Sequence, residues 1–567
     1  RRRSHARNSF RLRLADYLLH PSTSFCLCPF PTSHLVSPTS TRSRCSRVHL
    51  SLTALTMLAR RATATALRVS SRARVIGARS IAATADIGQA GVEADGDAKP
   101  FSAIPKPFLL PIVGSAFDFR TAGLDKGYKV QLERKKELGH IYFDKLFTLE
   151  GVYLSNVEDV QKVFSHEGRN PRRFPFQIWK DTRAEVGSVG GVFNLDGDDW
   201  RDARRNLAAK MLKPKEVRAY VPRFEAIAAD LIAALERNAG EDGVVKGIDN
   251  LHFRWSLESI ASVVFDTRIG CLEAQPRQEV DEFITGVLDF FSNSFKTLLE
   301  PAFFRQLGIG HYGGIVDAFR RIQKAGYYYI DKKLEEVQAM HASLPAESEA
   351  DFVTYLISRK DVSKEEVVGS ALEMLAGGVD TTSNTLMWTL YALADHPEKQ
   401  ARLKEEVEGV MKGGEGMTAA HLQNMPYLKA CIKESQRLYP VANINSRRLD
   451  HDIVLSGYTV PKGTTLLLDT MSMGYDERYF TDPTQYKPER WLEGGEKRAG
   501  PVAFASLPFG FGPRMCVGRR VAEAEIQVAL AKISRHFSGW ESKDSTIEPA
   551  VTLLLGPERP LQLKFNK

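Results

Sequence analysis

The chain has 567 residues, 43% of them hydrophobic, and a formal charge of +8 at neutral pH. That is enough apolar material for a sizeable core and excludes a chiefly disordered protein. The charge belongs to the leader: residues 1–85 hold fifteen Arg, no Lys and one acid (Asp16), a net of +14, so the remainder sums to −6 and a nucleic-acid-binding body is not expected.

Residues 1–56 fit no defined signal and read as an undefined leader, with mistranslated upstream sequence as one source. From Met57 the chain runs MLARRATATALRVSSRARVIGARSIAATA, with six Arg and no acid before Asp86. Arg-rich, acid-poor composition predicts a transit peptide and linker over 57–100. The bland alternative is a basic tail. No window there approaches the ~18–20 apolar residues that span a bilayer, so no N-terminal anchor is expected. The six cysteines show no CxxC spacing, which fits a reducing compartment better than a disulfide framework.

The folded body is expected over 101–567. It opens with FSAIPKPFLLPIVG, where Pro105, Pro107 and Pro111 forbid helix. From about Leu124 helical patterns dominate, with short strand patterns at Gly151–Tyr153 and across 453–470. The predicted fold class is mainly α with a minor β-sheet. In DDWRDARRNL, Trp200 and Arg204 lie four apart and share a helical face. Lys364–Ala394 reads as one long helical stretch interrupted by Gly377-Gly378, each Gly costing about 1 kcal/mol.

Further on, KESQRLYP sets Glu434 and Arg437 one helical turn apart, and PERW supplies Arg490. Lys429, Lys433 and Arg437 form one stripe. The loop FGFGPRMCVGRR then presents Cys516 just before a helix whose stripes (Val517, Val521, Ala524, Val528; Ile526, Leu530, Ile533) predict a broad buried face. A helix N-terminus favours a thiolate there.

The arrangement Phe509, Gly512, Arg514, Cys516, Gly518 is similar to the full cysteine-loop signature of the cytochromes P450. The resemblance, with the other motifs, spans Trp200 to Gln527. It implies a single haem domain in which Cys516 ligates the iron of haem b, and Trp200, Arg204, Arg447 and Arg514 hold its propionates. For Arg447 a surface charge is the alternative, since Arg448 competes. Glu434, Arg437 and Arg490 would form a buried structural network. AGGVDTTSNTL resembles the oxygen-activation helix, with Thr381 ordering a water at bound O2 and Asp380 relaying protons from outside; the glycine pair would let the backbone approach the haem. Pocket walls would come from the region before Trp200, from 283–299, from the stretch before Gly377 and from 441–444.

MLKPKEV, YLKACIKESQRLYP and RRVAEAE resemble the mitochondrial branch. That branch implies a 2Fe–2S ferredoxin, with its NADPH reductase, docking on Lys429, Lys433, Arg519 and Arg520. The alternative is a set of solvated cations without a partner. The implied activity is hydroxylation of a lipophilic, sterol-like substrate with O2. The implied site is the matrix side of the mitochondrial inner membrane, with peripheral membrane contact and a plastid as the alternative compartment. A hydroperoxide isomerase and a haem gas sensor are the competing functions. The intact Asp380-Thr381 pair weighs against both.

Overall fold

Helical periodicity becomes a stack of long helices: α1 (Gly127–Leu138), α2 (Val157–His166), α3 (Gln177–Glu185), α4 (Gly197–Met211), α5 (Pro214–Arg237) and α6 (Ile248–Phe265). It continues with α7 (Gln278–Leu298), α8 (Tyr312–Met340), α9 (Lys364–Ala394), α10 (Pro397–Val410), α11 (Pro426–Leu438) and α12 (Arg519–His536). The computed structural model describes residues 97–340, 351–359, 361–412, 416–495 and 500–567. The chain divides into two units, Arg1–Gly91 and Val92–Lys567, and every described residue belongs to the second. The leader, and the transit-peptide reading up to residue 96, lie outside the described residues.

Helix α9 is the spine. Ser363 and Glu366 cap its start reciprocally, and from Val379 to Ala394 nearly every side chain is buried. A helix apolar on all sides must be covered on all sides. It packs against α6, α8, α11 and α12, while α7 lies along α8 and α5 along α12. The expected interruption at Gly377-Gly378 does not occur: the helix is continuous. A Cβ on Gly378 would sit 3.0 Å from Ile260 of α6, and one on Gly377 would sit 3.2 Å from the Phe193 ring. The glycines exchange helix propensity for close packing.

The minor sheet is β1 (Ile141–Leu146), β2 (Leu149–Leu154), β3 (Ile444–Arg448) and the later β6, in the order β1-β2-β6-β3. The 453–470 pattern resolves into β4 (Ile453–Leu455), β5 (Tyr458–Val460) and β6 (Thr465–Asp469). Three two-stranded ribbons complete the β structure among the described residues: β4 with β5, β7 (Gly539–Ser542) with β10 (Leu563–Asn566), and β8 (Pro549–Val551) with β9 (Leu555–Pro557). Val152, Leu154, Leu466 and Leu468 build a satellite core under the sheet, apart from the main helical core. Among the described residues no helix is long and apolar enough to cross a membrane.

Candidate functional site

The cysteine loop is shaped by backbone hydrogen bonds. Gly510 N–H donates to Leu507 O (2.9 Å), Met515 N–H to Gly512 O (3.1 Å) and Cys516 N–H to Phe509 O (2.9 Å). Gly512 has φ +75°, and a Cβ there would overlap Glu167 Oε1, so only glycine fits. Cys516 opens into a cavity between α9, α12 and the start of α4, whose walls include Trp200, Arg204, Gly377 and Thr381.

The Cys516 side chain is open to the cavity; desolvation pushes the thiol up, and against it the N–H groups of Gly518 and Arg519 and the charges of Arg204 and Arg173 favour its thiolate.

Around the cavity mouth the charges do not balance. Arg514 reaches Asp196 (3.0 Å) and Pro171 O (2.7 Å), and its guanidinium lies 4.1 Å from the Trp200 ring centroid. Arg173 and Arg204 also line the cavity, and among the described residues neither has a carboxylate partner. Burial, reinforced by Arg447, Arg514 and Arg204, pushes Arg173 down to about 9; burial also lowers Arg204. Two half-buried guanidiniums without carboxylate partners among the described residues would be balanced by two anions in the cavity. A haem, with a thiolate-seeking iron and two propionates, fits this donor set.

Arg447, expected on the propionates, is placed otherwise. Its Nε donates to the buried carboxylate of Glu167 and its Nη2 to Phe511 O (3.0 Å), and it does not line the cavity. Glu167 would otherwise be a stranded charge. Arg173, which the sequence reading missed, stands at the cavity in its place. Its only local signal is a pair of adjacent arginines, Arg172 and Arg173.

Thr381 faces the cavity and donates its hydroxyl to Gly377 O (2.8 Å). Asp380, one position back, does not line the cavity and does not reach outside: it is buried and accepts from Asn384 Nδ2 (2.7 Å). Burial pushes it up to about 6 against that hydrogen bond. A second acid was missed. Glu525 of α12 is buried on the cavity wall beside Thr382 and Ser259, its Oε2 has no hydrogen-bond partner, and burial pushes it up to about 8.

The expected triad is brought together. Arg437 Nε donates to Glu434 Oε2 (3.0 Å), Arg437 Nη2 to Oε1 (2.8 Å) and Arg490 Nε to Oε1 (2.9 Å). The Trp491 indole (2.8 Å) and Lys487 N–H (3.0 Å) add to the same carboxylate. Burial alone would raise Glu434, but the two arginines and these bonds hold it below the usual carboxylate range. Of the expected docking cations, Lys433, Arg519 and Arg520 are exposed and Lys429 is half-buried. Lys429 and Arg520 share a surface hollow with Arg218, while Arg519 pairs with Glu523 (3.0 Å). Lys433 lies 5.8 Å from the Trp491 ring centroid and Arg519 5.8 Å from that of Phe509, so only Lys429 and Arg520 of the four share the hollow.

A sequence model of the family described as Cytochrome P450 matches residues 104–565. The chain is 32% identical to the mitochondrial 1,25-dihydroxyvitamin D(3) 24-hydroxylase of Rattus norvegicus, covering 83% of this chain and 90% of that protein. It is 32% identical to the mitochondrial 25-hydroxyvitamin D-1 alpha hydroxylase of Homo sapiens (79% and 89%). It is 33% identical to the mitochondrial sterol 26-hydroxylase of Oryctolagus cuniculus (77% and 83%).

Glu434→Gln leaves two buried arginines facing a neutral amide. We expect a loss of about 3–5 kcal/mol, seen as a lower thermal midpoint and poor haem loading; a wild-type midpoint would contradict it. Glu525 has a folded-state pKa above its unfolded value, so its neutral form contributes stability that is complete below the unfolded carboxyl range and lost as pH rises through about 8. Glu525→Gln should therefore lose less stability than wild type between pH 6 and pH 9, by a few kcal/mol at most. Parallel denaturation profiles for the two proteins would refute this.

Proposed function

The chain belongs to the cytochrome P450 family, and from that premise we propose that it is a mitochondrial, ferredoxin-dependent hydroxylase of a sterol-like lipid. Its class is plain: it is a haem-containing monooxygenase. One observation carries the site assignment: Cys516 opens into the cavity where Arg173 and Arg204 lack carboxylate partners among the described residues. We assign Cys516 to the iron and Arg173, Arg204, Arg514 and Trp200 to the propionates.

Bound through Cys516, the haem supplies the activation of O2. The protein supplies orientation, dryness and protons. Thr381 spends its own proton on Gly377 O, which leaves its oxygen free to accept from a water in the cavity. Asp380, pushed up to about 6, can both hold and release a proton near neutral pH, with Asn384 fixing its carboxyl. Glu525, pushed up to about 8 by burial, is a second proton store on the cavity wall beside Thr382. Both acids are buried, so protons reach Thr381 by relay and bulk water stays out.

The names of the relatives support the mitochondrial compartment and a sterol-class substrate. Lys429, Lys433, Arg519 and Arg520 form the face on which an acidic 2Fe–2S ferredoxin, reduced by its NADPH reductase, docks by charge complementarity. Residues 57–100 are assigned to a transit peptide and linker. Contact with the matrix side of the inner membrane has its own support. Phe108 and Ile112 are 80% and 66% exposed, as is Leu307 at 66%. The two segments share one face: Phe147 N–H donates to Val113 O, and Thr148 Oγ1 donates to Leu298 O at the end of α7. Apolar side chains this exposed suit a lipid surface.

Cys516→Ser should abolish the thiolate-type spectrum of the reduced carbon monoxide complex; a retained spectrum refutes the ligand assignment. Lys429→Glu with Lys433→Glu reverses charge away from the cavity, with little effect on folding, ~0–1 kcal/mol per exposed pair. Like charges across an interface cost several kcal/mol, so reduction by an acidic ferredoxin should fall at least about tenfold. Turnover driven by added peroxide should persist. If both fall together the lysines are structural, and if neither falls electrons enter elsewhere.

A further inference from the structure

A second cavity, about 620 Å³ in volume, lies between α5, the end of α6, the loop that joins α6 to α7, and α8. It shares no lining residue with the cavity at Cys516. That volume suits a small organic molecule. Its wall is largely charged, and an account of those charges shows which of them are already committed.

One group of charges builds the wall. Glu258, fully buried on α6, accepts from Arg268 Nε (2.5 Å), Ile269 N–H (3.1 Å) and Cys271 N–H (2.7 Å). Arg268 also donates to Asp230 of α5 (2.5 Å). The loop is thereby tied to two helices, and Gly270, at φ +78°, makes its turn. Across the cavity, buried Lys333 of α8 pairs with Asp351 (2.9 Å) and lies 3.9 Å from Glu336.

Three cations on the same wall remain. Arg237 gives one N–H to Leu272 O (2.9 Å) and Arg277 gives one to the Tyr328 hydroxyl (3.0 Å). Neither they nor Lys332 meets a carboxylate among the described residues. Lys332 stands one turn after Tyr328 on α8, so it neighbours the Arg277–Tyr328 contact. Of the acids on the wall, Glu273 is the one left without a cation among the described residues. Three positive charges against one leave an excess of two. A carboxylate brings one negative charge, whereas a phosphomonoester brings nearly two at neutral pH. Guanidinium forks and an ammonium also match the oxygens of a phosphate.

A phosphate alone would leave most of this volume empty. The rest of the wall is aromatic on the side of α8. Tyr328 presents a ring 40% exposed, with Tyr329 edge-on to it (5.0 Å between centroids) and Phe265 stacked behind Tyr329 (6.3 Å). A flat heteroaromatic ring can stack on such a surface, and the free carboxylate of Glu273 can accept from hydroxyl or amino groups. We propose that this cavity binds a nucleoside monophosphate, its phosphate held by Arg237, Arg277 and Lys332 and its base laid on Tyr328. The site is separate from the haem pocket and does not depend on the hydroxylase reading.

The test is calorimetric titration of the haem-loaded enzyme, at low ionic strength, with adenosine 5′-monophosphate, adenosine and inorganic phosphate. Every base offers a π-face, so one nucleotide stands for the class. The nucleotide should bind at least about tenfold tighter than adenosine, which lacks the phosphate. It should bind at least about fivefold tighter than inorganic phosphate, which lacks the base. In the double variant Arg237→Gln with Lys332→Gln, its affinity should fall to about that of adenosine, while the spectrum of the reduced carbon monoxide complex stays intact. No saturable binding of the nucleotide overturns the proposal. So does equal affinity for adenosine, or an unchanged affinity in the double variant. Phosphate binding as tightly as the nucleotide leaves an anion site without a place for the base, which also overturns it. Adenine nitrogen can ligate iron as well, so haem absorbance is followed throughout; a shift that tracks the heat puts the nucleotide at Cys516 and counts against the outer cavity.

Discussion

One buried carboxylate organises the ground beneath the haem site. Glu434 accepts from Arg437, Arg490, Trp491 and the backbone of Lys487, and Arg437 passes its remaining protons to Gly474 O (2.7 Å), Pro483 O (2.6 Å) and Gln485 O (3.1 Å). Most of the chain between Gly474 and Trp491 has neither helix nor strand to satisfy its backbone. Its carbonyls must find donors elsewhere or stay desolvated and unpaired. The guanidinium of Arg437 supplies several of them at once, and Glu434 makes burying that charge tolerable. This segment precedes the cysteine loop, so the charge network steadies the chain that leads to Cys516, the proposed iron ligand.

The same rule sorts the other buried acids. Glu167 has Arg447, Glu373 has Arg183 and Glu258 has Arg268, and each ties together segments far apart in sequence or closes a loop. Asp380 and Glu525 have no cation, and burial alone pushes them up to about 6 and about 8. Where Coulomb attraction offsets desolvation, an acid becomes a fastener; where it does not, the acid keeps a proton it can give up. Asp380 precedes Thr381 on α9, and Glu525 lies beside Thr382 on the cavity wall. The guanidiniums at the cavity mouth show the mirror image: fixed positive charge without enough protein anions.

How much of this was legible in sequence follows from the range of each signal. The cysteine loop, the Glu434–Arg437 spacing and the Trp200–Arg204 spacing are short and periodic, and the structure brings each set together. Strands β3 and β7 to β10 were invisible because runs of three to five residues are too short for an alternation to register. Arg173 was missed because nothing local separates it from Arg172; only a cavity tells them apart. Glu525 had a signal that went unused. It falls four residues after Val521 and one before Ile526, inside the apolar face of α12, where an unpaired acid is out of place. Arg447 failed for the opposite reason: its partner Glu167 lies 280 residues away, and no spacing rule reaches that far.

The glycines of α9 do two things at once. Gly377-Gly378 was expected to interrupt the helix, yet the helix is continuous and both glycines line the cavity at Cys516, with Phe193 packed against one and Ile260 against the other. Ser256 Oγ also donates to Gly378 O (2.8 Å), drawing α6 onto the pair. Two elements thus press on α9 one turn before Thr381, and the carbonyl of Gly377 is the acceptor for the Thr381 hydroxyl. Any shift of Phe193 would be felt at that carbonyl, because close-packed contacts transmit displacement instead of absorbing it. Phe193 is therefore in mechanical contact with Thr381, the residue proposed to order protons, through a single turn of helix. A larger side chain at either glycine would separate the two.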